Sequence, residues 1–285
     1  MKLPAFDYRC PSSLAEAIKL LSDNAETARP LAGGQTLLPM MAFRVADPAL
    51  LIDLKDVPQL GGITITDDSI TLGAMVKWCE IEASTALRNA CPILADAIAH
   101  VAHYQIRNRG TVGGSLAHGD PASEMPGLAV LCDAQICVTG ARGERDIAAA
   151  DFFLGPLTTA LEPGELITGV RMARWPAERK WAFDEFGIRR GDFAMAGIGL
   201  YYDSDGNGRA TNAHIAVIGA TDIPRRLHEA EGAIDGHIVD ETTIARAAKA
   251  AAAEVDPPED IHASIAYRRA LVETLVERTL THASR

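Results

Sequence analysis

The chain has 285 residues, 48% of them hydrophobic and 23% charged, proportions that exclude a disordered or low-complexity chain. With 27 Lys and Arg against 38 Asp and Glu, the net charge is −11, which argues against nucleic acid and anionic membrane as partners because both need a basic face. The length suits one large domain or two modest ones, either able to bury a core.

In chain order, Ser13 with Glu16 three positions on is a capping box that opens a helix carrying Leu14, Ile18 and Leu21. A strand is expected over 29–32, then the loop Gly33-Gly34-Gln35-Thr36, a short helix over 37–44 and a buried strand over 49–54. Alternation from Ile63 to Leu72 about Asp67-Asp68-Ser69 predicts a hairpin. Helices over Trp78–Ala83 and 93–101 follow, then a polar, glycine-rich loop over 107–123 and strands over 135–139 and 165–172. Residues 173–178 read as a linker. Beyond it, strands are expected over 181–188, 193–202 and 212–218, and helices over 225–231, Glu241–Glu254 and 264–280. The whole is an α+β chain with a first domain over 1–175, in subdomains 1–55 and 56–175, and a second over 176–285.

The five cysteines are odd in number and scattered, with no C-x2-C pair, so this chain is not expected to build a zinc or iron–sulfur site. Free thiols suit a reducing compartment. Pro4 and Asp7 interrupt any apolar leader, and no apolar run approaches the ~20 residues of a membrane span. A soluble, cytoplasmic protein is expected.

The sharpest features are two diglycine segments, Ala32-Gly33-Gly34-Gln35-Thr36 and Arg109-Gly110-Thr111-Val112-Gly113-Gly114-Ser115. Paired glycines let a ligand approach the backbone and let successive N–H groups converge on an anion. Thr36, Thr111 and Ser115 add hydroxyls at the rims. Neither segment matches a dinucleotide-binding fingerprint or a P-loop, so from residues alone each reads as a turn or an anion site. His100 and His103, three apart on an expected helix, read as ordinary helix histidines rather than metal ligands. His118 reads equally as a ligand contact or a loop cap, and Asp192 as a turn former or a ligand contact. Ala247 to Ala253 reads as helix packing, and Cys132 and Cys137 as small buried residues.

The run from Ile106 through Arg109-Gly110-Thr111-Val112-Gly113-Gly114-Ser115-Leu116-Ala117-His118 to Pro126 closely resembles the FAD-binding medium subunit of molybdenum hydroxylases, the xanthine and carbon monoxide dehydrogenase family. Residues 31–40, Gly164-Glu165-Leu166-Ile167, Arg190-Gly191-Asp192-Phe193-Ala194 and Tyr267-Arg268-Arg269 resemble the same family. The resemblance implies a vanillyl-alcohol-oxidase-type FAD-binding fold followed by a C-terminal antiparallel sheet with helices. It implies that Ala32, Gly33, Gly34, Gln35, Thr36 and Leu37, with Thr111, Gly113, Gly114 and Ser115, bind the FAD pyrophosphate largely through backbone N–H groups. Glu124, where relatives place Asp, would serve the adenosine or ribityl portion, Ile167 a wall of the cofactor, and Phe193 the isoalloxazine ring. Asp184 and Glu185 stand where some relatives carry a lysine facing the flavin.

By the same resemblance, the chain has no catalytic residue of its own. It would take electrons from [2Fe–2S] clusters of a small partner and pass them from FAD to NAD+, oxygen or another acceptor. A large partner would carry molybdopterin, in a dimer of heterotrimers. No cysteine-bearing insertion of the benzoyl-thioester reductase branch lies between Pro121 and Asp151. The rivals are a self-sufficient flavin oxidoreductase of the same fold and a non-catalytic scaffold.

Overall fold

Ser13 caps the first helix as its spacing predicts: its Oγ accepts from the Glu16 N–H at 3.3 Å, and Glu16 accepts from the Ser12 N–H at 3.0 Å. In the computed structural model, which describes residues 2–285, three parallel strands follow one another in the order β1-β3-β2. These are β1 (Asp7–Arg9), β2 (Ala28–Leu31) and β3 (Leu50–Asp53), with α1 (Leu14–Asp23) and α2 (Leu37–Ala42) between them. A five-stranded antiparallel sheet comes next, built from β4 (Ile63–Ile65), β5 (Ser69–Gly73), β6 (Gln135–Gly140), β7 (Gly143–Ala148) and β10 (Leu166–Ala173), in the order β4-β5-β10-β6-β7. Six helices intervene: α3 (Trp78–Ala83), α4 (Thr85–Ala90), α5 (Pro92–Ile98), α6 (Tyr104–Arg107), α7 (Val112–His118) and α8 (Glu124–Leu131). A short α9 (Ala149–Phe152) and the ribbon of β8 (Phe153–Gly155) and β9 (Thr158–Thr159) complete this part.

The rest of the chain forms a second antiparallel sheet, β11 (Lys180–Phe186), β12 (Ala196–Ser204), β13 (Ala210–Ile218) and β14 (Arg225–Arg226), backed by α10 (His228–Ile234), α11 (Glu241–Glu254) and α12 (Ile265–Ala283). Its two faces serve two cores, and period-two alternation sorts the side chains. Phe183, Tyr201, Ala216 and Ile218 join the core of the preceding α/β body, while Ala182, Ile198, Leu200 and Val217 join that of the three helices. Gly199 lets the sheet lie close on α8, since a Cβ there would stand 3.0 Å from Leu131 Cδ2. The expected linker is itself packed. Trp175 is 5% exposed, its N–H donates to the Ala90 carbonyl at 2.9 Å, and its ring lies 4.8 Å from Tyr201.

Four local expectations are corrected. The stretch 107–123 is not one loop but contains α7, because Thr111 caps the diglycine and Gly119, at φ 63°, ends it in the left-handed conformation. Helix α8 lies in a segment where none was expected. Pro126 is tolerated there because it falls in the first turn, where its missing N–H has no helical acceptor anyway. The helix expected over 93–101 ends at Ile98, so His100 lies in the turn after it and His103 is the extended cap of α6. Of the expected helix over 225–231, the first two residues pair as β14 with Ala216 and Val217, and the helix begins at His228.

Candidate cofactor site

The two diglycine segments lie side by side. Gly33 is buried so closely against the second segment that a Cβ would stand 2.2 Å from the Arg109 carbonyl oxygen, and one on Gly114 would stand 3.7 Å from Ala32 Cβ. Gly34 has φ +71°, a conformation open to glycine at little cost. In the first segment the N–H groups of Gly33, Gly34, Gln35, Thr36 and Leu37 have no acceptor among the described residues. The Gln35 side chain braces the turn by donating to the Gly33 carbonyl at 3.0 Å.

The second segment differs from expectation. The Val112 N–H donates to the Val76 carbonyl at 3.0 Å, Gly113 to the Ala74 carbonyl at 2.8 Å, Gly114 to Thr111 Oγ1 at 3.2 Å and Ser115 to the Thr111 carbonyl at 3.1 Å. Those four amides are therefore engaged within the chain, and the expected nest of free N–H groups there is not formed. Gly113 instead allows close packing, since its Cβ would stand 2.6 Å from Ala74 Cβ. Ala74 is tied in turn to the Thr168 carbonyl at 3.0 Å, next to Ile167. Ile167 itself is 3% exposed, set in the core at a register shift of β10. It supports this packing from within.

Glu124 is the first residue of α8 and half-buried overall, but its carboxyl lies deep. Removal from water, and then the charge of Glu185, push it up to about 8. Glu185 projects from β11 on the face of Trp181 and Phe183. Its Oε1 lies 3.6 Å from His100 Nδ1, and its Oε2 is buried without a hydrogen-bond partner among the described residues. The Glu185 carboxylate, positioned to accept from the imidazole, raises the His100 pKa. Phe193 stands apart from this buried group, 69% exposed on the connection between β11 and β12. Asp192 closes a turn there, its N–H donating to the Arg189 carbonyl at 3.1 Å. His118 occupies the last turn of α7.

One cation fixes the loops by which the second body meets the first. Arg268 of α12 is 5% exposed and donates to the carbonyls of Met195 at 2.6 Å and Gly219 at 2.7 Å, and to Asp260 at 2.6 Å. Gly219 donates its own N–H to the Pro121 carbonyl at 2.9 Å, in the connection between α7 and α8. Arg268 thus ties the C-terminal helix to the loops beside Phe193 and Glu124.

Residues 4–175 match the family described as FAD binding domain in molybdopterin dehydrogenase. The chain belongs to the FAD-binding medium subunits of the molybdenum hydroxylases. Residues 181–283 match the CO dehydrogenase flavoprotein C-terminal domain. The nicotine 6-hydroxylase medium subunit of Paenarthrobacter nicotinovorans is 40% identical over 283 residues, covering 99% of each chain. Among solved structures, carbon monoxide dehydrogenase from Hydrogenophaga pseudoflava superposes with a TM-score of 0.96 at 35% identity, covering 99% of this chain and 98% of that one. Quinoline 2-oxidoreductase from Pseudomonas putida 86 does so at 0.95 and 38% identity, covering 100% and 98%.

This medium subunit is therefore an oxidoreductase component with an FAD-binding domain and the α+β fold that the resemblance implies. No helix among the described residues is long and apolar enough to cross a membrane. Sequence reasoning passed over two groups in the medium subunit. His100 reads from the sequence as an ordinary helix histidine, and its ion pair with Glu185 is visible only once β11 and the end of α5 are folded together. Arg268 was noted as part of a motif, but no signal in the sequence names its two carbonyl partners.

Proposed function

We propose that this subunit holds FAD with its pyrophosphate over the first diglycine turn, and that it relays electrons without transforming a substrate. The observation that carries this reading is the row of five unengaged N–H groups from Gly33 to Leu37 beside the glycine surface of Gly114. Backbone donors of that kind neutralise a diphosphate without cationic side chains, which suits a chain of net charge −11. Ala32 and Gly114 leave room for close approach, and the Thr36 and Ser115 hydroxyls add donors. Thr111 and Gly113 act one step back, by capping and seating α7. Glu124 serves a polar hydroxylated part of the cofactor, Ile167 backs the wall, and Phe193 offers an apolar face to the isoalloxazine. Bound FAD supplies the means to accept and release electrons, and this chain's residues bind it, orient it and limit its contact with water.

The electron donor in this reading is a small partner with [2Fe–2S] clusters, and the final acceptor is external. A large partner bears molybdopterin and the substrate pocket, in a cytoplasmic dimer of heterotrimers. The domains of the medium subunit are 1–175 and 176–285, a division supported by the separate family matches. The names of the nicotine and quinoline relatives favour an N-heteroaromatic substrate for the complex. The test is purification from the native source, followed by titration with nicotine or quinoline. Co-purifying molybdenum and iron, one FAD per chain, and flavin bleaching only when all three subunits are present would support the assignment. A yellow monomer that turns over substrate by itself would overturn it.

A further inference from the structure

Outside the diglycine turns, Glu124, Glu185 and His100 form a set of titratable side chains around one buried carboxylate oxygen. Register explains how it forms. Glu185 pairs with Gly197 across β11 and β12, and a Cβ on Gly197 would meet both Glu185 Cβ at 3.1 Å and Ile218 Cγ1 at 2.8 Å. The other branch of Ile218 packs on α8, since a Cβ on Gly127 would stand 2.3 Å from its Cγ2. Glu124 lies three residues before Gly127, on the same face of that helix. Two carboxylates are thus brought to one apolar spot, where the Glu185 side chain is 6% exposed and its Oε2 lacks a partner. A buried carboxylate oxygen left unpaired is costly, and the arrangement calls for a donor.

We propose that Glu124 is a proton-holding carboxyl set against Glu185, and that it exchanges this proton with solvent through His100 when the charge on the bound cofactor changes. The upward displacement of the Glu124 carboxyl to about 8 agrees with the geometry. His100 is the exit because its side chain is one-third exposed and lines an open cavity of about 620 Å³ with Phe183, Asp184, Arg278 and His282. The charged groups facing the set are Asp96 on α5, Asp120 before α8, Asp184 on β11, Glu277, Arg278 and His282 on α12, and Arg285 just beyond it. Asp184 is paired with Arg278 at 2.8 Å. The step moves one proton and no heavy atom. The electrons that alter the cofactor's charge come from a one-electron donor of the iron–sulfur class, or from an electrode in the test.

The coupling to the cofactor rests on the reading that FAD occupies this site, whereas the proton itself does not, so the test has two arms. In the apoprotein, thermal stability is followed from pH 5 to pH 9 for the native chain, Glu124→Gln and Glu185→Gln. A carboxyl that holds its proton in the folded state up to about pH 8, and gives it up near pH 4.3 when unfolded, loses the native chain stability steadily across that window. Glu124→Gln should therefore match the native Tm at pH 5 and exceed it by several degrees at pH 9. Glu185→Gln should flatten the native decline, because it removes the charge that opposes Glu124 ionisation. Parallel native and Glu124→Gln profiles would overturn the proton assignment.

In the FAD-loaded chain, the flavin midpoint potential is measured against pH by spectroelectrochemistry. The native curve should bend near pH 8, and the Glu185→Gln curve should bend at a lower pH while its flavin content stays native. Superimposable curves at full flavin content would overturn the coupling alone. A failure to bind FAD in the native chain would overturn the reading on which the coupling rests, leaving the apoprotein result standing.

Discussion

At Gly33 a single hydrogen separates a working contact from a collision, because a Cβ would lie 2.2 Å from the Arg109 carbonyl oxygen. The oxygen belongs to the backbone and the backbone fixes where a Cβ must stand, so neither can turn away. Gly33→Ala should lower Tm and abolish flavin retention, read as the ratio of flavin to protein absorbance after gel filtration. Gly114→Val acts differently, since its Cβ would stand 2.9 Å from Thr111 Oγ1, the oxygen that caps α7. It should lose FAD with a smaller loss of Tm, and a variant that kept one flavin per chain would remove Gly114 from the site. Phe193 is exposed enough that Phe193→Ala should leave Tm within about 2 °C of native, the ordinary range for a surface change. Its effect should be confined to the flavin absorbance and potential, and no change in either would detach Phe193 from the cofactor.

At the scale of the element, α7 shows what could be read and what could not. The glycines at 113 and 114 were legible as a place of close approach but not as a helix, because two glycines in seven residues contradict helix propensity. The bracketing signals were present: Thr111 at the cap, Val112 and Leu116 four apart, and Gly119 just past the end. Helix α8 was missed for another reason. All its residues from Met125 to Leu131 are buried, so no polar face marks a period, and Pro126 with Gly127 resembles a turn. Helix α11, with one wet face, was legible to the residue. Because Thr111 Oγ1 holds the Gly114 N–H, Thr111→Ala should cost about 1 kcal/mol and weaken FAD binding, while Thr111→Ser should restore both. Isothermal titration of the apoprotein with FAD, beside thermal melts, measures the two effects together. Equal affinity in the alanine variant would show that the cap is irrelevant to the cofactor.

For the whole molecule, the decisive residue is one that touches neither diglycine segment. Arg268→Met would leave the carbonyls of Met195 and Gly219 buried without their donor. The cost should be on the order of 3 kcal/mol, seen as a Tm lower by roughly 5–10 °C. Arg268→Lys should recover part of this, having the charge but not the fork. The order of the two bodies was legible from the expected linker over 173–178 and from the family motifs. That they share one sheet as a common wall was not, because the faces of β12 and β13 are both apolar and a sequence does not say which core each serves. That wall has a mechanical consequence. Separating the two bodies like the halves of a shell would pull Leu131 off the ledge at Gly199, drag Ile218 away from Gly127, and strip water-avoiding surface bare along the whole length of β12. A molecule built this way would seat a bound cofactor against one rigid wall and not between two halves free to part.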